Sequence, residues 1–322
     1  MLFTLTRASP AIAVALCLTA TAAAQHFPVK PLRIVVPVAP GGGLDPQARL
    51  LGKKFQESMG QTVVVDNRPG ASTMIGTELV VRSPADGYTL LCAASTLAST
   101  VTLNKKLSFD IVRDLTPVSQ ISSTAQFLVV LSTLPAASIQ DFIALARRQS
   151  GKMNAASGGT GSANHFALEM FKLRTGIQAT HIPYKGSGPA TIALMSGEVD
   201  FSFAGALTSL PHIRAGKIKA LAVTTPKPSA SLPLVPTLTS LYPGFESTNW
   251  YAIFAPSATP AAIIHKISSE IANAIKAPDA REFMLKEGAE PVGSTPAEAA
   301  AFFKVEVERH AKVIQAANIR LD

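Results

Sequence analysis

Two glycine-rich stretches carry the chemistry open to this sequence. PGGGLDPQAR (40–49) joins an apolar, β-branched run to an amphipathic segment, and NAASGGTGSANHF (154–166) repeats that layout further along. Exposed amides at a helix N-terminus attract anions, and glycines let a ligand come close to the backbone. Gly41, Gly42, Gly43, Leu44 and Asp45 therefore form one candidate ligand-binding loop, and Ser157, Gly159, Thr160, Gly161, Ser162 and His165 the other. CAASTLAST adds Ser95 and Thr96, and IPYKGSGPA adds Tyr184. Lys185, next to Tyr184, could pair with a carboxylate, but a lysine in a turn is more often solvated.

Several kinds of chemistry are excluded. The first loop lacks the lysine of a P-loop and the last glycine of a dinucleotide fingerprint, so no nucleotide cofactor is expected. Ser162 in GTGS is not flanked as a nucleophile elbow requires. No second histidine or carboxylate is read at ligand spacing around His165, so it is expected to be packed and hydrogen-bonded, and no metal is expected. What remains is the binding of an anion, or a merely structural role for the glycine turns.

Such loops need strand ends and helix starts to hold them. LRIVVPV (32–38), TVVVD (62–66) and YTLLCA (88–93) read as strands, with helices over 45–59 and 72–82. A second set begins near Phe127 with FLVVL, a helix over 139–148 and further strand–helix alternation to residue 224. Residues 226–244 are proline-rich and read as an ordered loop, NWYAIFAP as one more strand, and the tail as helical, opening one helix with the capping box Thr295-Pro296-Ala297-Glu298. The fold class is α/β with a parallel sheet: two α/β domains joined by a two-segment hinge, residues 25–126 plus 251–322 forming the first and 127–250 the second. The late helices should return to the first domain.

Arg7, a run of small apolar residues and Ala22-Ala23-Ala24 read as a signal peptide at residues 1–24, cleaved after Ala24, which places the mature chain in the periplasm. Of the two cysteines, Cys17 leaves with that segment, so Cys92 cannot form an intramolecular disulfide. The net charge of +8 is dispersed, with no basic block to suggest a nucleic-acid partner.

In order along the chain, KPLRIVVPVAPGGGLDPQAR, VVVDNRPGAS, ADGYTLL, GGTGSANH, IPYKGSGPA, GEVDFSF and AGKIKALAVT resemble the extracytoplasmic solute receptors of tripartite tricarboxylate transporters, the Bug-type binding proteins. The resemblance covers nearly all of the mature chain. It implies a type II periplasmic-binding-protein-like fold whose two glycine loops hold a small carboxylate through amides, hydroxyls and waters, and a monomer is expected. It also implies delivery of that ligand to membrane permease subunits. The chain departs from the usual NRPGAGG at Ser72 and Thr73. A ligand sensor docking on a membrane signalling partner, and a secreted hydrolase of related architecture, are the alternatives.

Overall fold

The computed structural model describes residues 27–41, 43–104, 107–286 and 288–320. The expected signal segment, its cleavage point and Gly42 lie outside the described residues. The strands are β1 Leu32–Val36, β2 Val63–Asn67, β3 Thr89–Ala94, β4 Leu115–Thr124, β5 Gln126–Leu131, β6 Met153–Ser157, β7 Ala179–Pro183, β8 Phe201–Gly205, β9 Ile218–Val223, β10 Asn249–Pro256 and β11 Ala289–Pro291. The helices are α1 Leu44–Met59, α2 Met74–Val81, α3 Thr96–Leu103, α4 Ile111–Asp114, α5 Ile139–Arg148, α6 Ala163–Thr175, α7 Ser187–Ser196, α8 Ala206–Arg214, α9 Leu238–Leu241, α10 Ala261–Lys276, α11 Pro278–Lys286 and α12 Pro296–Ala316.

These strands form two sheets, ordered β11-β4-β10-β3-β1-β2 and β7-β6-β8-β5-β9. Both are mixed, which corrects the expectation of purely parallel pairing. β1 is parallel to β2 and β3, but β10 runs antiparallel to β3 and β4; β6 is parallel to β7 and β8, but β5 runs antiparallel to β8 and β9. The reason lies in the crossings. β5 enters from the first sheet and β10 from the second, each arriving at the end where neighbouring strands stop, so Gln126 pairs with Gly205 and Tyr251 with Ala94. Only Ala125 separates β4 from β5. Thr124 Oγ1 donates to the Asn249 carbonyl at 2.6 Å, and the Thr224 amide to the Gln126 carbonyl at 2.9 Å, tying the two crossings together.

Each sheet is covered on both faces, so its strands read as continuous apolar runs rather than alternating ones. In β1, Ile34 and Val36 pack with α1 and α10, while Val35 faces the cluster of α2, α3 and Phe303 of α12. In the second sheet Leu128 and Val130 face α5 and α6, and Phe127 and Val129 face α7 and α8. Ile263, Ile267 and Ile271 of α10 recur every four residues on the buried side. The capping box opens α12 as its sequence requires. This helix does not stay on the first sheet: Phe303 packs there, but Val313 belongs to the second core.

The NRPGAST segment is strained where it departs from the glycine-rich pattern. Ala71, Ser72 and Thr73 have φ of 45°, 51° and 78°, and Thr73 Oγ1 is buried without a hydrogen-bond partner among the described residues. The helix expected over 72–82 starts only at Met74, with no side-chain cap. A left-handed non-glycine residue costs about 1–2 kcal/mol, and glycine returns about 0.5–1 kcal/mol of that as chain entropy. Ser72→Gly and Thr73→Gly should therefore each stabilise by about 1 kcal/mol, Thr73→Gly the more because it also removes the unpaired hydroxyl. Thermal melting checks this, and lower melting temperatures in both variants would contradict the strain.

Candidate functional site

A cleft of about 500 Å³ opens between the two sheets. Pro40, Gly41, Gly43 and Gln47 line it from α1 and its loop, and Tyr251 and Asn249 from the start of β10. The second sheet contributes Asn164 of α6, Lys185 to Pro189 before and in α7, and Gly205 to Thr208 at the start of α8.

Most polar side chains here are already committed. Asn164 Nδ2 donates to Gln126 Oε1 at 3.0 Å and to the Phe203 carbonyl at 2.6 Å, while its Oδ1 accepts from Ser187 Oγ at 2.9 Å. Asn249 accepts from Ser95 Oγ at 2.8 Å and donates to the Tyr251 hydroxyl at 2.9 Å. Thr208 Oγ1 donates back to the Gly205 carbonyl at 3.2 Å. These bonds make the walls rigid.

The helix starts are different. α1, α7 and α8 have glycine N-caps, Gly43, Gly186 and Gly205, and no side chain caps any of them. The first turn of a helix has amides without intrahelical partners, and it carries the positive end of the helix dipole. Three such ends line one cleft, together with the Lys185 ammonium, which has no ion-pair partner among the described residues. No aspartate or glutamate lines the cleft among the described residues. The surface is suited to an anion bound by backbone amides.

Of the residues singled out from sequence and described here, only Gly41 and Gly43 line this cleft. Gly43 is needed for close approach, since a Cβ there would stand 2.6 Å from the Tyr251 hydroxyl. Leu44 is buried in the first core. Asp45 is not the α1 cap; its carboxylate accepts the Gly41 amide at 3.2 Å, Arg49 Nε at 3.0 Å and Asn67 Nδ2 at 3.0 Å. Burial alone would raise the Asp45 carboxyl, but the bonds from Arg49, Asn67 and Gly41 outweigh it and hold it below its ordinary value. Asp45 thus braces the loop. Ser95 stands behind Asn249, and Thr96 starts α3 instead of continuing a loop.

The loop after β6 also turns inward. Ser157 Oγ lies 2.6 Å from His181 Nε2 and accepts the Gly159 amide at 3.1 Å. The Gly161 amide donates to His165 Nδ1 at 3.1 Å, Ser162 caps α6 through the His165 amide, and Thr160 is half-buried outside the cleft lining. His165 is packed as expected, its ring stacked on His181 at 3.8 Å. The expectation of no second histidine or carboxylate near it is corrected by His181 and by Glu169, one helical turn on, at 3.6 Å from Nε2. No group of metal-ligating side chains forms a site among the described residues. The Tyr184 hydroxyl donates to Glu198 at 2.7 Å, away from the cleft lining. The inward loop supports the next one: the Tyr184 amide bonds to the Ser157 carbonyl at 3.0 Å and the Gly186 amide to the Gly158 carbonyl at 3.2 Å. A Cβ on Gly158 would lie 3.1 Å from the Ser187 amide nitrogen.

Lys185 is exposed, as expected of a turn lysine, but it also lines the cleft, which nothing in its local sequence marks. The uncapped starts of α7 and α8 were partly legible as Gly186 and Gly205.

The model of the tripartite tricarboxylate transporter family receptors matches residues 47–319. The chain belongs to that receptor family. The receptor is 36% identical over 307 residues to protein BugT of Bordetella pertussis, covering 94% of each chain. It is also similar to Rpa4515 of R. palustris, solved with adipate, at 32% identity and a TM-score of 0.81, covering 91% of this chain and 99% of that one. MatC of Rhodopseudomonas palustris, solved with bound malate, is 28% identical at a TM-score of 0.77, covering 89% and 100%. Family members are solute-binding receptors of the periplasm rather than enzymes. No described helix of the receptor is long and apolar enough to cross a membrane.

Proposed function

We propose that the receptor is exported with cleavage after Ala24, acts as a monomer, closes its two domains on a small carboxylate and passes it to the permease subunits of a tripartite transporter. The domains divide at Ala125 and in the segment between β9 and β10. The observation that carries this reading is the set of three uncapped helix N-termini around a cleft that, among the described residues, holds one lysine without an ion-pair partner and no acidic side chain. Rpa4515 with adipate and MatC with malate make those two anions the first candidates.

Calorimetry with adipate and malate tests the reading, and copurification with permease subunits from membranes tests the partner. Lys185→Met should weaken binding about tenfold, the scale of one hydrogen bond to a charged group, without moving the melting temperature of the free protein. Failure of the intact receptor to bind any of a panel of mono-, di- and tricarboxylates would refute it.

A further inference from the structure

Two glycines hold the domains in contact beside the cleft. Gly288, between α11 and β11 on the first domain, has φ +69°, and a Cβ built there would overlap the Cβ of Ala206 and stand 3.4 Å from its Cα. Ala206 is the first residue of α8 in the second domain, is 1% exposed and lines the cleft, as does Ala289 next to Gly288. Gly161, on the second domain, has φ +78°, and a Cβ there would stand 3.1 Å from Leu103 Cδ1 of α3, on the first domain. The neighbours differ in how they can respond. Leu103 presents the end of a flexible side chain, whereas Ala206 presents a Cβ fixed to helix backbone.

We infer that Gly288 is a positioning residue for ligand capture: its missing side chain lets the first domain close onto Ala206, and that contact sets the uncapped α8 N-terminus against the bound anion. This rests on the reading of the cleft as the carboxylate site. A side chain at 288 would act as a wedge. It would hold α8 away from its closed position without touching the ligand, while the φ of Gly288 would add strain of its own. Wedge and strain separate in a compensating pair, because Ala206→Gly removes the opposing methyl and leaves the strain in place.

The experiment uses the exported protein labelled with spin probes at Gln56→Cys and Lys217→Cys, exposed positions on opposite domains; Cys92 is buried. Distances between the probes and calorimetric affinities for adipate and malate are measured in otherwise unchanged receptor, Gly288→Ala, Ala206→Gly and the double variant. In the unchanged receptor the separation of this structure should be populated, and its population should rise with ligand. Gly288→Ala should lose that separation and bind at least tenfold more weakly, chiefly through faster dissociation. The double variant should regain the separation and most of the affinity, although its melting temperature stays as low as that of Gly288→Ala. Equal distances in Gly288→Ala and unchanged receptor would overturn the inference, as would a double variant that stays open. A receptor that never reaches this separation, with or without adipate or malate, would overturn it too. Absence of carboxylate binding together with wedge-dependent distances would count against the proposed ligand while supporting the contact.

Discussion

Between pH 6.5 and 4.5 the receptor should lose up to about 4 kcal/mol of folding stability, because a buried and a half-buried histidine must take up protons to follow the solvent. Burial, helped by the Arg309 charge, pushes His310 down to about 3; burial, helped by His165, pushes His181 down to about 4. Both start from an ordinary value of 6.5. In this window the unfolded chain binds the extra protons and the folded one does not, so the stabilisation is complete above 6.5 and lost as the pH falls. Each histidine contributes a slope of up to about 1.4 kcal/mol per pH unit. Glu306 works against them, since its burial raises the carboxyl and lets the folded state keep a proton that the unfolded chain releases. Asp45, Asp66 and Glu169 are held below their ordinary values of 3.8, 3.8 and 4.5, so they titrate mainly below this window. Urea unfolding at pH 4.5, 5.5 and 6.5 gives the measurement. His310→Phe, which keeps a ring against Phe166, should remove about half of the slope. A flat profile in the unchanged receptor would show that these imidazoles protonate without cost.

Glu306→Ala should destabilise by about 3–5 kcal/mol, the range for removing one partner of a buried charged network. Glu306 is almost fully buried on α12 and accepts from Trp250 Nε1 at 2.9 Å and from Arg309 Nη1 at 2.5 Å. Alanine would leave the Trp250 N–H unpaired within the core and leave Arg309 with only Glu246, at 3.4 Å. Glu306→Gln keeps an acceptor for Trp250 and should cost only about 1–2 kcal/mol. Chemical denaturation orders the pair, and equal losses would mean that the volume of the side chain matters more than its acceptor. Glu306→Ala should also steepen the acid dependence, because it removes the group that opposes the histidines.

The sheets were largely legible from apolar runs such as RIVV and FLVV, where both faces are buried. β4 was not. Its sequence LTPVSQISST looks like a loop, yet Ser119, Gln120, Ser122 and Thr124 are all buried. Two of its polar groups find distant partners: the Gln120 backbone N–H donates to Ser294 Oγ at 2.8 Å, and Thr124 Oγ1 donates to the Asn249 carbonyl. Composition reports hydrophobicity and cannot report that partners will be supplied by residues more than a hundred positions away. The same limit applied to the site. Glycines marked a loop that reaches the cleft at Gly41 and Gly43, but the hydroxyls of Ser157 and Ser162 bond to His181 and to their own loop, while the donors at the starts of α7 and α8 are backbone groups marked only by Gly186 and Gly205.

Helix α12 changes the mechanics of this receptor. The two crossings alone would resemble a pair of thin straps, soft to bending. α12 adds a stiff beam riveted at Phe303 to one side and, through His310 stacked on Phe166 at 3.8 Å and Val313, to the other. Ser99 Oγ holds the same histidine at 2.6 Å from the first domain. Any swing of one side must bend this beam or slide the Phe166 ring across the imidazole, so the movement is sprung rather than slack, and its amplitude is set by how far a packed helix can flex.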